Sequence, residues 1–380
     1  MIAMRIALFS AYFPPHIGGV EQYTLNLATS LYNKGHEVVV ITSNSGDGSK
    51  PHVPFEVIEI PTISVMGDRF PVIRTDRRFS KLVNRLRTVA FDAYVINTRY
   101  YPICLLGCHL ASVQGKKPVI IDHSSGYLTD EKSIYGFTLR LYERIINRAV
   151  MFYKPDCYAV SSRSGLWIKS LGFHYCGVIP NAIDVDDYLM KCSDRDWSEV
   201  VNQCSGLKVV FIGRLVREKG VQTAIGAVRL LRAQGNKVDL LIAGSGPLAN
   251  SIAQIKDEYI HYVGALSRED ACSLLSVSDI FCYPSEYPEG LPSVLLEAAS
   301  HKLAIVSSNC AGASDVIQNT DSGFIVNDPS PASISHAIQR YCDNPSLMKS
   351  AGVNAFNRVK ASFSWDVSAQ LLIDAISNGC

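Results

Sequence analysis

Short runs of aliphatic and β-branched residues alternate along this chain with longer stretches whose apolar positions recur at helical spacing. Strand and helix units of a parallel sheet produce that alternation. In the first half, strands are predicted over 5–10, 37–43, 55–60, 94–96, 119–121, 157–161 and 177–179, with helices over 20–34, 103–114, 137–152 and 164–171. The scheme repeats in the second half, with strands over 208–212, 239–243, 260–263, 280–283, 304–307 and 323–326. The polar stretch 184–206, ahead of a fresh strand, reads as an interdomain linker. The expectation is therefore an α/β protein of two doubly wound sheets, 1–190 and 191–363.

Composition agrees with two cores. The 380 residues are 47% hydrophobic and 19% charged, enough for two domains of about 150 to 200 residues. Residues 1–190 carry a net +4 and residues 191–380 a net −3, which gives the overall +1. No basic stripe is interleaved with aromatics, so a nucleic-acid partner is not expected. The eleven cysteines are scattered, with Cys104 and Cys108 the nearest pair. They suggest neither a metal site nor a disulfide framework, and a reducing cytosol is expected. The chain enters strand 5–10 too early for a signal peptide, and no run approaches the ~20 apolar residues of a membrane span. A cytoplasmic location follows as an expectation.

Residues 286–297 carry the strongest chemical signal. Glu289 and Glu297 bracket Gly290-Leu291-Pro292-Ser293, a turn that opens a short apolar helix after strand 280–283. Pro292 suits a helix start, and the helix N-terminus with its unpaired N–H groups favours an anion, phosphate above all. Were the stretch helical, the two carboxylates would lie roughly 12 Å apart, which suits two hydroxyl-bearing groups with phosphates between them. A loop glutamate and a helix glutamate with no task fit the same spacing.

Upstream, strand 208–212 runs into Gly213-Arg214-Leu215-Val216-Arg217-Glu218-Lys219-Gly220 and then a helical pattern. Such loops gather at the carboxyl edge of a parallel sheet, where ligands bind. Arg214 as a fork and Lys219 as a point charge can hold a phosphate pair. A charge pair at about 4 Å is worth on the order of 4 kcal/mol at an effective dielectric near 20. A charged surface turn is the competing reading.

In the first half, strand 5–10 leads into Tyr12-Phe13-Pro14-Pro15-His16-Ile17-Gly18-Gly19. Gly18 and Gly19 allow a close backbone approach to a ligand, or supply only a turn. No Gly-x-Gly-x-x-Gly is present, and the second strand ends in Thr42-Ser43-Asn44 without an acid for a ribose, which argues against a dinucleotide enzyme. His123 follows strand 119–121 at the same kind of edge, where it can orient a substrate or serve packing. Asp184-Val185-Asp186 looks like a metal-binding pair but follows Pro180-Asn181-Ala182-Ile183 in a turn, so no metal is expected.

Taken in order, these segments resemble the retaining glycosyltransferases of family 4. The matching pieces are Tyr12 to Glu21, Val160-Ser161, Ile179 to Asp184, Phe211-Ile212-Gly213-Arg214 and Lys219-Gly220. They continue with Ala243-Gly244-Ser245-Gly246-Pro247-Leu248, the paired glutamates and Phe363-Ser364-Trp365. The resemblance implies the GT-B fold, two Rossmann-like domains facing a central cleft, with a last helix, about 364–380, crossing back onto the first domain. It implies that the first domain serves the acceptor and the second a nucleotide-diphosphate sugar.

The same resemblance assigns Glu297 to the ribose hydroxyls, Arg214 and Lys219 to the phosphates, Glu289 to a sugar hydroxyl and the backbone at Gly264, Ala265 and Leu266 to the base. Gly18, Gly19 and His123 would close over the anomeric carbon. The implied reaction is metal- and cofactor-independent hexosyl transfer with retention, to a glycan or lipid-linked acceptor of a bacterial surface polysaccharide or glycolipid. Two departures from the family pattern stand out. Asp122-His123-Ser124-Ser125-Gly126 differs from the usual His-Gly or His-Asp. The segment Ala298-Ala299-Ser300-His301-Lys302-Leu303-Ala304 lacks the customary Gly and Pro, leaving Lys302 where a left-handed helix cap favours glycine.

Between 69 and 87, Arg69, Arg74, Arg77, Arg78, Lys81, Arg85 and Arg87 face one acid, Asp76, and Phe79, Leu82, Val83, Leu86 and Val89 recur between them. A solvated amphipathic face and peripheral docking on an anionic membrane both fit, the latter attracting roughly 1 kcal/mol per cation. Alternatives for the whole chain are a non-catalytic nucleotide-sugar-binding subunit of a polysaccharide assembly complex and a nucleotide-sugar epimerase of the same fold. A phosphorylase would need a pyridoxal-binding lysine, and none can be assigned.

Overall fold

The computed structural model describes residues 3–16, 18–44, 52–65, 70–129, 133–287, 289–309 and 312–380. Ile17, Arg69 and Pro288, which belong to the segments singled out above, lie outside the described residues. The chain forms two compact units, Met1–Asn181 with Trp365–Cys380, and Ala182–Ser364.

The first unit holds strands β1 (Arg5–Ser10), β2 (Glu37–Ser43), β3 (Glu56–Ile60), β4 (Thr62–Val65), β5 (Phe70–Ile73), β6 (Ala93–Asn97), β7 (Val119–Asp122), β8 (Asp156–Ala159) and β9 (Tyr175–Val178). Seven of them make one sheet in the order β3-β2-β1-β6-β7-β8-β9, every pair parallel. β4 and β5 form a separate antiparallel hairpin that the hydrophobic pattern does not reveal. Its strands are four residues long, and Pro71 within β5 weakens the strand signature.

Helices start where local chemistry allows. Pro102 sits in the first turn of the helix Pro102–Val113, and the Ser133 and Ser161 side chains accept from Gly136 and Ser164 N–H to cap the helices that follow. The last helix, Trp365–Asn378, belongs to this unit. Ala369, Leu372 and Ile373 pack with Leu27, Ala28 and Leu31 of the helix Gly19–Asn33, and Ser368 donates to the Pro180 carbonyl at 2.9 Å.

The helix Arg77–Thr88 resolves the basic stretch. Val83 and Leu86 are buried, and Phe79, Leu82 and Val89 pack against the same core. Its apolar side is thus committed to the fold, and its cations face outward. Arg85 pairs with Glu56 at 3.1 Å and Arg74 with Asp76 at 3.4 Å.

The second unit holds β10 (Leu207–Ile212), β11 (Val238–Ala243), β12 (Ile260–Gly264), β13 (Ile280–Tyr283), β14 (Ala304–Ser308) and β15 (Phe324–Val326). They form one sheet in the order β12-β11-β10-β13-β14-β15, again parallel throughout. Strand order reverses between β10 and β13, the topological switch point at which α/β sheets bind ligands.

The stretch read as a linker is part of this unit. Ile183, Val185, Tyr188 and Trp197 are buried with Leu241, Phe281 and Leu295, so the division falls after Asn181 and not after residue 190. Four apolar anchors spread through a polar segment carry too little periodicity to announce a core. The cysteine expectation is also corrected. Cys176 is bonded to Cys380 and Cys192 to Cys272, pairs 204 and 80 residues apart that no local spacing reveals.

Candidate active site

Two loops of the second unit leave the sheet on either side of the switch point, one after β10 and one after β13. They are stitched together. Glu286 N–H donates to the Glu218 carbonyl at 2.8 Å, and Ser285 Oγ donates to the same carbonyl at 3.3 Å. Gly220 has φ +77°, and a Cβ there would lie 2.1 Å from the Pro284 carbonyl oxygen, so only glycine lets the loops approach this closely.

This stitching brings Lys219 and Glu289 together. The buried Lys219 Nζ forms an ion pair with Glu289 Oε1 and donates to Tyr283 Oη at 3.2 Å, while Tyr283 donates to Glu289 Oε2 at 2.5 Å. The two residues assigned separately to phosphate and sugar are therefore mutual partners. An ammonium has three donors, so Lys219 can keep Glu289 and still meet an anion. Arg214, on the same loop, is exposed and has no side-chain partner among the described residues.

After β13, the helix Ser293–Ser300 starts behind Pro292, whose φ is −65° and which offers no side-chain cap. Leu295 N–H donates to the Pro292 carbonyl at 3.2 Å, and the N–H groups of Ser293 and Val294, which no side chain caps, can meet an anion, with Gly290 and Leu291 buried ahead of them and Ser293 exposed. Glu297, one turn further, is buried. Arg268 Nε lies 3.3 Å from its carboxylate. Burial holds the Glu297 carboxyl above its ordinary value, and the Arg268 charge and hydrogen bond offset only part of that rise. Gly264 ends β12 with φ +86° and open space where a side chain would stand, and Ala265 beside it is exposed.

At the C-terminus of that helix, Lys302 adopts the left-handed conformation expected of a glycine, φ +58°. Its carbonyl would lie 1.9 Å from a Cβ on Gly352, and its Nζ sits 4.9 Å from the centre of the Phe356 ring. The Asp184-Val185-Asp186 pair has structural employment. Asp184 caps the helix Val185–Met190 by accepting from Asp187 N–H at 3.1 Å, and Asp186 pairs with Lys360 at 3.0 Å.

In the first unit, Gly18, Gly19 and His123 stand at the carboxyl ends of β1 and β7, with β6 between them. A side chain on Gly19 would meet nothing within 4 Å, whereas one on Gly18 would collide with the Glu21 carboxylate, which pairs with His16 at 2.9 Å. His123 is half-buried. Tyr23, on the helix that Gly19 opens, packs edge-on against its ring at 4.5 Å.

Thr24 donates to the Val20 carbonyl at 2.7 Å and accepts from Asn97 Nδ2 at 2.8 Å, which turns Asn97 Oδ1 toward His123 Nε2 at 3.3 Å. In that network Nε2 carries the proton and Nδ1 is left as an acceptor.

Burial pushes His123 down to about 4, and does the same to His301 in the second unit. Both rings are neutral at pH 7. Because the folded value lies below the unfolded one near 6.5, the unfolded chain binds more protons between pH 6.5 and 4. Stability is then expected to fall as pH drops through that window, by up to about 3 kcal/mol per ring. Urea titrations of the protein at pH 7 and pH 4.5 check this; unchanged midpoints would count against neutral buried rings.

Three contributors escaped the sequence reading. Tyr283 holds the Lys219 and Glu289 pair, Arg268 faces Glu297, and Arg99 holds Asp122 and Ser124, the two neighbours of His123 in the chain. Arg99 is buried, with Nη1 3.1 and 3.0 Å from the two Asp122 oxygens and 2.7 Å from Ser124 Oγ, and it also pairs with Glu143. Only the position of Tyr283 at the end of an apolar strand hinted at its role.

The family model described as Glycosyl transferases group 1 matches residues 200–358, and that described as Glycosyltransferase Family 4 matches residues 17–187. The chain belongs to glycosyltransferase family 4. An uncharacterised glycosyltransferase of Methanocaldococcus jannaschii is 26% identical over 97% of both chains. The capsular polysaccharide biosynthesis glycosyltransferase CapM of Staphylococcus aureus is 28% identical over 77% of this chain and 80% of its own. Among solved structures, Anabaena HepE in complex with UDP-glucose superposes with a TM-score of 0.70 at 17% identity, over 99% of this chain and 100% of HepE. The two parallel sheets of this family-4 glycosyltransferase are thus those of the GT-B fold.

Proposed function

We propose that this family-4 glycosyltransferase moves a hexose from a nucleotide-diphosphate sugar, UDP- or GDP-linked, to a glycan or lipid-linked acceptor with retention at the anomeric carbon. The observation that supports the proposal is the ion pair of Lys219 with Glu289 at the switch point, made by the loops after the neighbouring strands β10 and β13, which also carry Arg214, Glu297 and an uncapped helix N-terminus. Cations and N–H dipoles suit a pyrophosphate, and they act most strongly on the charge that develops as the sugar leaves. Glu297 is assigned to the ribose hydroxyls, Glu289 to a sugar hydroxyl, and the backbone at Gly264 and Ala265 to the base. The first unit supplies Gly18, Gly19 and His123, whose neutral ring accepts a hydroxyl without adding charge.

In the proposed step, the bond from the anomeric carbon to the phosphate oxygen breaks and the acceptor oxygen bonds to the same face. The departing β-phosphate takes the acceptor's proton while Arg214 and Lys219 balance its charge. A product in surface polysaccharide synthesis is supported by the resemblance to CapM. Among the described residues no helix is long and apolar enough to cross a membrane. We assign the enzyme to a membrane surface, held peripherally, with the cations of the helix Arg77–Thr88 drawn to anionic lipid.

The test is turnover of labelled UDP- and GDP-hexoses with and without acceptor, before and after EDTA. Labelled product only when acceptor is present, at a rate EDTA leaves unchanged, is expected. Donor binding without product in any acceptor fraction would favour the non-catalytic subunit, and absolute dependence on added Mn²⁺ would contradict the cation roles of Arg214 and Lys219.

A further inference from the structure

We infer that the helix Ile134–Met151 is an in-plane membrane anchor that lays an outward apolar stripe into an anionic phospholipid bilayer. The helix is attached to the first unit by Gly136, Glu143, Ile146, Asn147 and Val150, all buried. At roughly 100° per residue these positions fall on one side, and the large apolar residues fall on the other. Ile134 is 87% exposed, Phe137 60%, Leu141 47%, Ile145 61% and Phe152, which closes the helix, 80%. Scattered exposed apolar residues are ordinary. Five aligned along five turns opposite a packed face are not, and such a surface marks an interaction site.

Charge selects the occupant. The helix has one acid, Glu143, which is buried and paired with Arg99. Arg144 and Arg148 are exposed, and helical spacing sets Arg144 at one edge of the stripe and Arg148 within it, between the directions of Phe137 and Leu141. An apolar stripe that carries arginines and is free of acids is the pattern of helices that lie in the boundary between headgroups and acyl chains, with the guanidinium groups reaching back to phosphate. The stripe runs about 27 Å from Ile134 to Phe152, but the opposite side of the helix is packed into the first unit, so the helix lies along the surface and does not cross it.

The β4–β5 hairpin joins it through Phe70, whose ring packs edge-on against Tyr142 at 5.4 Å, and the hairpin exposes Ile63, Val65 and Val72 as well. The cationic helix Arg77–Thr88 cannot do this work, because its apolar side is already in the core. The inference deepens the peripheral location proposed above and is independent of the transferase chemistry.

The experiment is co-sedimentation of the full chain with phosphatidylglycerol-containing vesicles and with purely phosphatidylcholine vesicles. Wild-type protein is expected to partition to the anionic vesicles. The triple substitution Phe137→Ser, Leu141→Ser and Ile145→Ser should weaken partitioning by about 100-fold, and Arg144→Gln with Arg148→Gln by about tenfold on anionic vesicles alone. In a Leu141→Trp variant, indole emission should shift to the blue on vesicle addition.

Stabilisation by UDP-glucose, measured in parallel on the same variants, reports on the donor site, so failure there and failure here are distinguishable. Wild-type protein that ignores the vesicles, a triple variant that binds like wild type, or an unshifted Leu141→Trp emission would overturn the inference. So would loss of self-association in the triple variant by size-exclusion chromatography without vesicle binding, which would assign the stripe to a second copy of the chain.

Discussion

Replacing Arg214 with alanine is expected to lower kcat by about 10²- to 10³-fold at saturating donor, the range seen when one preorganised donor to developing negative charge is lost. The fold should hardly notice. Arg214 is exposed and unpartnered among the described residues, so its removal strands no buried group, and surface changes of that kind stay within about 0.5 kcal/mol. Lys219→Ala is a different experiment. It would leave the Glu289 carboxylate and the Tyr283 hydroxyl without their cation, and breaking such a pair costs about 3 to 5 kcal/mol when it is fully buried. Arg214→Ala thus separates leaving-group stabilisation from stability, and a variant that keeps full kcat would contradict the role.

Replacing Glu297 with alanine should raise the KM for donor by about 100-fold with kcat nearly preserved. Hydrogen bonds to a charged group are worth about 1.5 to 3 kcal/mol each, and a ribose held through the whole reaction contributes equally to ground and transition states. Arg268 would lose its partner, but its side chain is half exposed and water can replace the carboxylate. Initial rates over a range of donor concentrations decide the matter. A loss confined to kcat would move Glu297 from nucleotide binding to the chemical step.

Much of the scaffold could be read from the residues, because the parallel strands are dense in β-branched and aliphatic side chains. β1, β2 and β13 begin and end where the pattern places them, and most other strands differ by one or two residues. What escaped detection lacked a local signature. The β4–β5 hairpin is short and contains Pro71, and the helix Val185–Met190 sits in a segment whose polarity outweighs its few anchors. At the site, Arg214, Lys219, Glu289 and Glu297 were each visible as charges beside turns. That Lys219 and Glu289 would meet, 70 residues apart, depends on β10 and β13 being neighbours, a fact of topology and not of spacing. Arg99 is an isolated charge in sequence and Arg268 opens an ordinary Arg-Glu-Asp helix start, and only their buried carboxylate partners give them meaning.

The most direct measurement is a crystal structure with the nucleotide sugar that supports turnover. The pyrophosphate is expected at the switch point of the second unit, its oxygens about 2.7 to 2.9 Å from the Arg214 guanidinium, Lys219 Nζ and the first N–H groups of the helix Ser293–Ser300, with Glu297 accepting from both ribose hydroxyls. A pyrophosphate bound away from β10 and β13, with Arg214 and Glu297 untouched, would contradict the account.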